Sequence, residues 1–305
     1  MNGMIEVARS SVQTWECDQM GHMNVQFYLD KADQGLTTLA LELGLGPTQA
    51  RSSGVMLRAR EHHVRFLREQ RPGAPFFLRG GLVDVGESGL TVYQEMVETV
   101  SDTAAATFLI DVECVDIASR TPQPLSEALR AYSEQRVEVP VHGRPRGLEL
   151  APPRPAPTLA DAERSGMLRT WQGAISRDQC DDAGFLTVRH FMGIVSDSIP
   201  NLLALTGGSD RSKTPGVGGA ALEYRFVYRG QPRVGDVLTL RSGLKQVGSK
   251  AYTWCHWLFD LETGTAVATA EAVAIAMDLE ARRAIPIPEA MRANLEARVI
   301  PGLGV

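Results

Sequence analysis

The chain has 305 residues, with 36 acidic against 31 basic side chains and a net charge of −5. That balance argues against general nucleic-acid binding, which needs a basic surface. There is no 18-residue apolar run and no charged-then-apolar leader, so the expectation is a cytoplasmic protein, neither secreted nor membrane-spanning. The four cysteines (Cys17, Cys114, Cys180 and Cys255) lack disulfide or CxxC spacing and read as free thiols in a reducing compartment.

Residues 4–16 read as an opening strand that delivers Cys17 and Asp18 to a turn containing Gly21. Asn24 follows as a good N-cap, because its side-chain oxygen can accept a first-turn N–H. Val25, Tyr28, Leu29, Ala32, Leu36, Leu39 and Leu43 then recur at helical spacing, and Gly44 is placed to end that helix. Residues 44–54, with Gly, Pro and Ser, read as a loop. Strands are expected over 62–68, 75–84, 90–99 and 104–116, and a short helix over 126–135. The turns between the strands are too short for parallel crossovers, so the sheet is expected to be antiparallel. Residues 136–165 carry six prolines from Pro140 to Pro157 and read as an extended linker. Beyond it, a helix over 188–205 contains Pro200, which should kink or restart it, and strands follow over 221–228, 236–247, 250–260 and 266–278.

The second half repeats the first. Cys180, Asp181 and Gly184 fall 163 positions after Cys17, Asp18 and Gly21, and Val188, Leu202 and Gly207 match Val25, Leu39 and Gly44. At an offset of 162, Glu61, Arg71, Gly73, Leu78, Arg79 and Asp116 meet Glu223, Arg233, Gly235, Leu240, Arg241 and Asp278. Chance does not hold one register that long, so the chain is a tandem duplication: residues 1–135, a linker over 136–165, and residues 166–305. Each copy orders one long helix ahead of four strands, an α+β plan in which the sheet buries the helix's apolar face.

That order, with the motif Glu16-Cys17-Asp18-x-x-Gly21-His22-x-Asn24-x-x-x-Tyr28, resembles the hotdog-fold thioesterases, most closely the 4-hydroxybenzoyl-CoA thioesterase group. The resemblance implies a double hotdog, each copy a central helix with an antiparallel sheet of about five strands. It implies an acyl-CoA or acyl-carrier-protein substrate, no cofactor, and a site at the interface of the two domains. It also allows a homodimer of the whole chain. Under it, Asp18 acts as nucleophile or general base, and Asp181 is a second site or a relic. An aspartate in an apolar cleft is the stronger base. The structural alternative for Asp18 is a carboxylate that only braces the Gly21 turn.

Gly21, His22 and Asn24 are the supporting residues of the motif, with Asn24 read foremost as a cap. Backbone N–H groups are the expected oxyanion donors, at Gly54 and Val55 in copy one and at Gly218 in the glycine-rich loop 216–219 of copy two. Arg58, Arg60, Arg65 and Arg68 form a basic run that can meet CoA phosphates or form a solvated strand face. No ligand-type spacing points to a metal, and adjacent His62 and His63 point to opposite faces of a strand. Cys17 and Cys180 read as small core residues rather than nucleophiles. Copy two keeps Asp181 but holds Phe185, Thr187 and Phe191 where copy one has His22, Asn24 and Tyr28, which makes copy one the working copy. Two other functions fit a hotdog chain. A hydratase or dehydratase would carry an Asp-x-Asn-Pro-x-His motif, which is not present, and a binding module would hold the thioester without cleaving it.

Overall fold

The structure, a computed structural model, describes residues 3–86, 89–125, 127, 129, 136–208 and 216–305. It divides into two units, Met1–Pro145 with Val188–Met192, and Arg146–Thr187 with Gly193–Val305. The helix expected over 126–135 lies almost wholly outside the described residues.

Unit 1 begins with β1 (Ile5–Ser11), a 3-10 turn at Thr14–Glu16, α1 (Val25–Glu42) and α2 (Pro47–Ser53). It continues with β2 (Val55–Phe66), β3 (Pro75–Val85), β4 (Gly89–Glu98), β5 (Thr103–Asp116) and β6 (Pro122–Gln123). Its sheet runs β1-β3-β4-β5-β2 with antiparallel pairs throughout, and β6 adds to β5. α1 packs on β1, β3 and β2. Leu29, Ala32, Leu36 and Leu39 of α1 are buried, as the helical spacing requires, and each buried Leu contributes about 1.5–3 kcal/mol. Gly35 marks the closest approach: a Cβ there would stand 2.6 Å from Gln94 Oε1 of β4.

Unit 2 comprises α3 (Leu159–Arg164), β7 (Leu168–Ala174), α4 (Val188–Thr206) from Gly193 onward, β8 (Val217–Tyr228) and β9 (Val237–Val247). β10 (Ala251–Asp260), β11 (Ala266–Asp278), β12 (Arg283–Ala284) and α5 (Glu289–Glu296) complete it. Its sheet order, β8-β11-β10-β9-β7, is that of unit 1 at the equivalent strands. Even the irregularities recur. The ladders slip at Val7 and Thr170, at Arg60 and Leu222, and at Val83 and Lys245, each pair one repeat apart. Bulges are kept features of a fold, so their coincidence supports the duplication independently of residue identity. Among the described residues no helix is long and apolar enough to cross a membrane.

Several elements differ from expectation. The stretch read as a loop before Gly54 contains α2, because Pro47 sits in its first turn, where its missing N–H costs nothing, and Gly54 ends it at φ +72°. β2 starts at Val55 rather than 62, because its ladder with β5 begins at the Val55–Asp116 pair. The opening strand stops at Ser11, and the chain reaches Cys17 through the 3-10 turn. α4 runs through Pro200 as one helix. Pro200 deletes a single N–H, and next to it the Asn201 side chain anchors the helix by donating to Thr170 O at 3.0 Å. In the stretch read as linker, Thr158 and Asp161 form a capping box that starts α3 directly after Pro157. The rest of that stretch is pinned: Arg65 donates to His142 O and Arg144 O in unit 1, and Arg225 donates to Glu149 O and Ala151 O in unit 2.

Candidate active site

Asp18 sits in a closed turn. Its N–H donates to His22 O, Gly21 N–H donates back to Asp18 O, and both bonds are 3.0 Å long. The Gly21 φ of +77° is the left-handed conformation that this turn demands of a glycine. The Asp18 carboxylate accepts Met20 N–H at 2.8 Å through Oδ1. Its other oxygen, Oδ2, lies 3.6 Å from His22 Nδ1, within ion-pair reach and longer than a hydrogen bond. Both side chains are partly exposed, 19% for Asp18 and 24% for His22, so water and substrate can reach them.

Two residues outside the motif complete this corner. His22 Nε2 lies 3.8 Å from Glu69 Oε1, so the imidazole stands between two carboxylates. Glu69 is brought there because Met23 N–H donates to Gln70 O at 2.7 Å. On the other side of the turn, Glu16 is buried and pairs with Lys31 of α1 at 2.6 Å, while its second oxygen takes Gln13 N–H. Sequence reading missed both Glu69 and Lys31. Neither falls within the motif, and only the fold brings them to it. Asn24 caps α1 by accepting Gln26 N–H at 3.1 Å. Tyr28 is buried edge-on to Phe66, 5.0 Å between centroids, and burial pushes its hydroxyl pKa upward, so it stays a neutral phenol.

Copy two builds the same turn. Asp181 N–H donates to Phe185 O, Gly184 N–H donates to Asp181 O, and Leu186 N–H donates to Pro232 O as Met23 does to Gln70. The Asp181 carboxylate, however, accepts two backbone N–H groups, from Ala183 at 2.9 Å and Phe185 at 3.0 Å. Phe185 replaces His22, Gln231 replaces Glu69, and the Arg233 guanidinium lies 4.3 Å over the Phe185 ring.

A family model for the thioesterase-like superfamily matches residues 12–132 and 176–295, one segment in each copy. The chain belongs to the thioesterase-like superfamily. Its enzyme class is therefore that of the thioester hydrolases. No curated protein matches it. Among solved structures it is similar to the 12:0-ACP thioesterase from Umbellularia californica, with a TM-score of 0.68 at 12% identity over 90% of this chain and 94% of that one. It is also similar to an acyl-ACP thioesterase from Bacteroides thetaiotaomicron VPI-5482, with a TM-score of 0.65 at 10% identity over 89% and 98% of the two chains. At these identities the likeness is one of fold.

For a thioesterase-like protein the remaining candidates sort by what already occupies them. Gly54 N–H is taken, donating to Ala50 O at 2.9 Å as the cap of α2, while Val55 N–H donates to Ser53 Oγ at 3.3 Å. The glycine-rich stretch of copy two is not a loop beyond Gly216: Val217 opens β8, and Gly218 stands opposite Met277 in the ladder. Arg58 pairs with Glu113 at 2.6 Å, Arg60 pairs with Asp111 at 2.8 Å, and Arg65 holds the two linker carbonyls. Arg68 is exposed and has no ion-pair partner among the described residues. His62 and His63 are both buried, and burial holds the His62 pKa down at about 3. Cys17 and Cys180 are half-buried rather than core residues, and burial together with the adjacent aspartates raises their thiol pKa values, which disfavours the nucleophilic thiolate.

Proposed function

We propose that this chain hydrolyses an acyl thioester with Asp18 as its working carboxylate. The observation that carries this reading is the Asp18–His22–Glu69 corner, which copy one assembles and copy two lacks. Asp18 takes a proton from water as the new C–O bond forms at the acyl carbon. The C–S bond then breaks and the proton passes to the departing sulfur. The alternative within the same site is direct attack by the carboxylate, followed by water on the resulting anhydride. His22 holds the water or the carbonyl beside Asp18, and Glu69 orients His22. Backbone N–H groups stabilise the oxyanion, with Val55 the better placed of the unit 1 pair because Gly54 N–H is committed. The pairing of one copy's aspartate with the other copy's loop is part of this proposal and rests on the family resemblance alone.

The acyl group and its carrier belong to the same proposal. The structural neighbours are named for acyl-ACP substrates. Of the four arginines considered for CoA phosphates, Arg68 alone is uncommitted to a partner among the described residues. The hydratase reading fits poorly, because the position that would hold its proline is Gly21, whose φ of +77° no proline adopts. A silent, binding-only role fits copy two, whose Asp181 Oδ1 accepts two of the turn's own N–H groups and which holds Phe185 and Gln231 in place of His22 and Glu69. The test is thiol release from short, long and aromatic acyl groups on both CoA and acyl carrier protein, with wild type and Asp18→Asn. Release that disappears in Asp18→Asn supports the proposal. Release that survives in Asp18→Asn and disappears in Asp181→Asn reverses the assignment of copies.

A further inference from the structure

Copy one buries a charge pair that its scaffold does not need. The Glu16 carboxylate and the Lys31 ammonium meet at 2.6 Å, and both residues are buried. Lys31 also reaches Asp30, at 3.4 Å. Taking two charges out of water is costly, and uncharged residues of similar size often serve stability as well. Copy two is that replacement, with Gln179 and Ile194 at the two positions. Its turn nevertheless keeps the backbone bonds of the first. Thr187 N–H donates to Gln179 O at 3.1 Å as Asn24 N–H donates to Glu16 O at 2.8 Å, and the bonds that close the Asp181 turn match those of the Asp18 turn. The Gln179 side chain accepts Ser176 N–H at 2.9 Å, as the Glu16 side chain accepts Gln13 N–H at 2.9 Å. Forming the turn therefore does not account for the two charges.

What they add is a second attachment to the helix. The turn has two arms, bridged at Cys17 and Met23. The ascending arm ends on Asp18. The descending arm runs from His22 into Asn24, the N-cap of α1, so along the chain it alone is joined to that helix. The Glu16–Lys31 pair ties the ascending arm to the second turn of the same helix. Asp18 and His22 lie on opposite arms, and the 3.6 Å between Oδ2 and Nδ1 is too long for a hydrogen bond to hold them together. A turn fastened by one arm can rock about the entry to α1. Fastened by both, it keeps its side chains in one place against the helix.

We propose, on the reading of Asp18 as the working carboxylate, that Glu16 and Lys31 are positioning residues that lock the arm carrying Asp18 to α1 and so keep its carboxylate beside His22. The pair acts through the arm and touches no reacting atom. Both charges are accordingly absent from the copy that holds Phe185 in place of that histidine. A shift of about 1 Å in a reacting group costs up to about a hundredfold in rate, which is the scale of effect such a lock controls.

The test installs the copy-two residues in the full chain, Glu16→Gln together with Lys31→Ile. Thiol release is titrated with acetyl, lauroyl and benzoyl groups on CoA and on acyl carrier protein, and urea unfolding is measured on the same samples. The double variant should unfold near the wild-type urea midpoint, lose about 10- to 100-fold in kcat and keep KM within about twofold. Glu16→Gln alone, which leaves Lys31 its Asp30 neighbour, should lower kcat in the same sense, and it decides the matter if the double variant does not fold. A pair with a merely structural role would lower the midpoint and leave kcat of the folded protein unchanged. A folded variant with kcat within about twofold of wild type, or with KM raised and kcat intact, overturns the positioning role and leaves Asp18 as the working carboxylate. Wild type that releases no thiol from any of these thioesters overturns the reading of Asp18 and the positioning role with it.

Discussion

In copy one the Asp-Gly turn carries His22 between the carboxylates of Asp18 and Glu69, with the Glu16–Lys31 pair buried beside it. In copy two the same backbone turn carries Phe185 under Arg233, and Gln231, Gln179 and Ile194 stand where Glu69, Glu16 and Lys31 would be. Gln179 keeps the bond that Glu16 makes to the chain, accepting Ser176 N–H at 2.9 Å, so the turn survives the loss of charge. The substitutions are therefore coordinated. The charged side chains around the turn, His22, Glu69, Glu16 and Lys31, have all been replaced, while the backbone bonds of the turn and the carboxylate-to-backbone bond of its aspartate have been kept; the Asn24 cap has not, since Thr187 makes no side-chain cap bond. A duplicated domain can lose its chemistry while keeping its scaffold because these two sets of interactions use different atoms.

The sharpest way to break this comparison is to exchange the two aspartates' fates. Asp18→Asn should lower turnover by about 10²–10⁴-fold, the usual contribution of a positioned acid or base, while Asp181→Asn should leave it within about twofold. Rates at a fixed saturating acyl thioester read both. His22→Phe, the copy-two residue, should fall between them and should lower kcat more than it changes KM. Equal losses from the two aspartate variants would show that both copies work.

Next in size is the buried ion pair. Lys31→Ile leaves the Glu16 carboxylate, 3% exposed, with a charge and no cation, and breaking such a pair costs about 3–5 kcal/mol. Adding Glu16→Gln reproduces the copy-two solution and should recover most of the loss in urea unfolding. A double variant as unstable as Lys31→Ile alone would show that copy two compensates elsewhere.

The repeat, the antiparallel sheets and the Asp18 turn were legible because they rest on local identities: the Asp-x-x-Gly spacing, the Asn24 cap and the helical period. What escaped was pairwise and non-local. The arginine run could be read as a phosphate site or as a solvated strand face because the register of β2 against β5 was not visible, and that register gives Arg58 to Glu113 and brings Arg60 to Asp111. Gly54 looked like a free oxyanion donor because α2, which takes its N–H, begins at a proline and reads as a loop. Glu69 carried no local signal; only the Met23–Gln70 bond brings it to His22.

Acid should distinguish the copies more gently. Each copy buries one histidine whose pKa burial pulls down, His62 to about 3 in copy one and His256 to about 4 in copy two. In the unfolded chain both titrate near the usual value of about 6.5. Below that pH the unfolded state binds protons that the folded state refuses, so stability is full above about pH 6.5 and falls on acidification toward the folded values. Each histidine adds about 1.4 kcal/mol per pH unit to that slope. His256→Gln installs the residue that copy one holds there, Gln94, and should remove one proton's share of the slope in unfolding measured from pH 7 to 5. An unchanged slope would place the acid sensitivity in other groups.

The smallest effect tests whether Phe185 is more than filler. Arg233 lies 4.3 Å over its ring, and the two residues also bridge through their backbones. A cation over an aromatic face in a partly wet site is worth about 0.5–1 kcal/mol. A double-mutant cycle of Phe185→Leu and Arg233→Ala, read by unfolding, isolates that coupling from the separate losses of area and charge. Coupling in that range would mean that copy two has replaced a histidine held between acids with an aromatic held by a base, a structural bond at the place where copy one holds its proposed site. Coupling near zero would make Phe185 an apolar plug, and the loss of His22 in copy two would need no compensating contact at all.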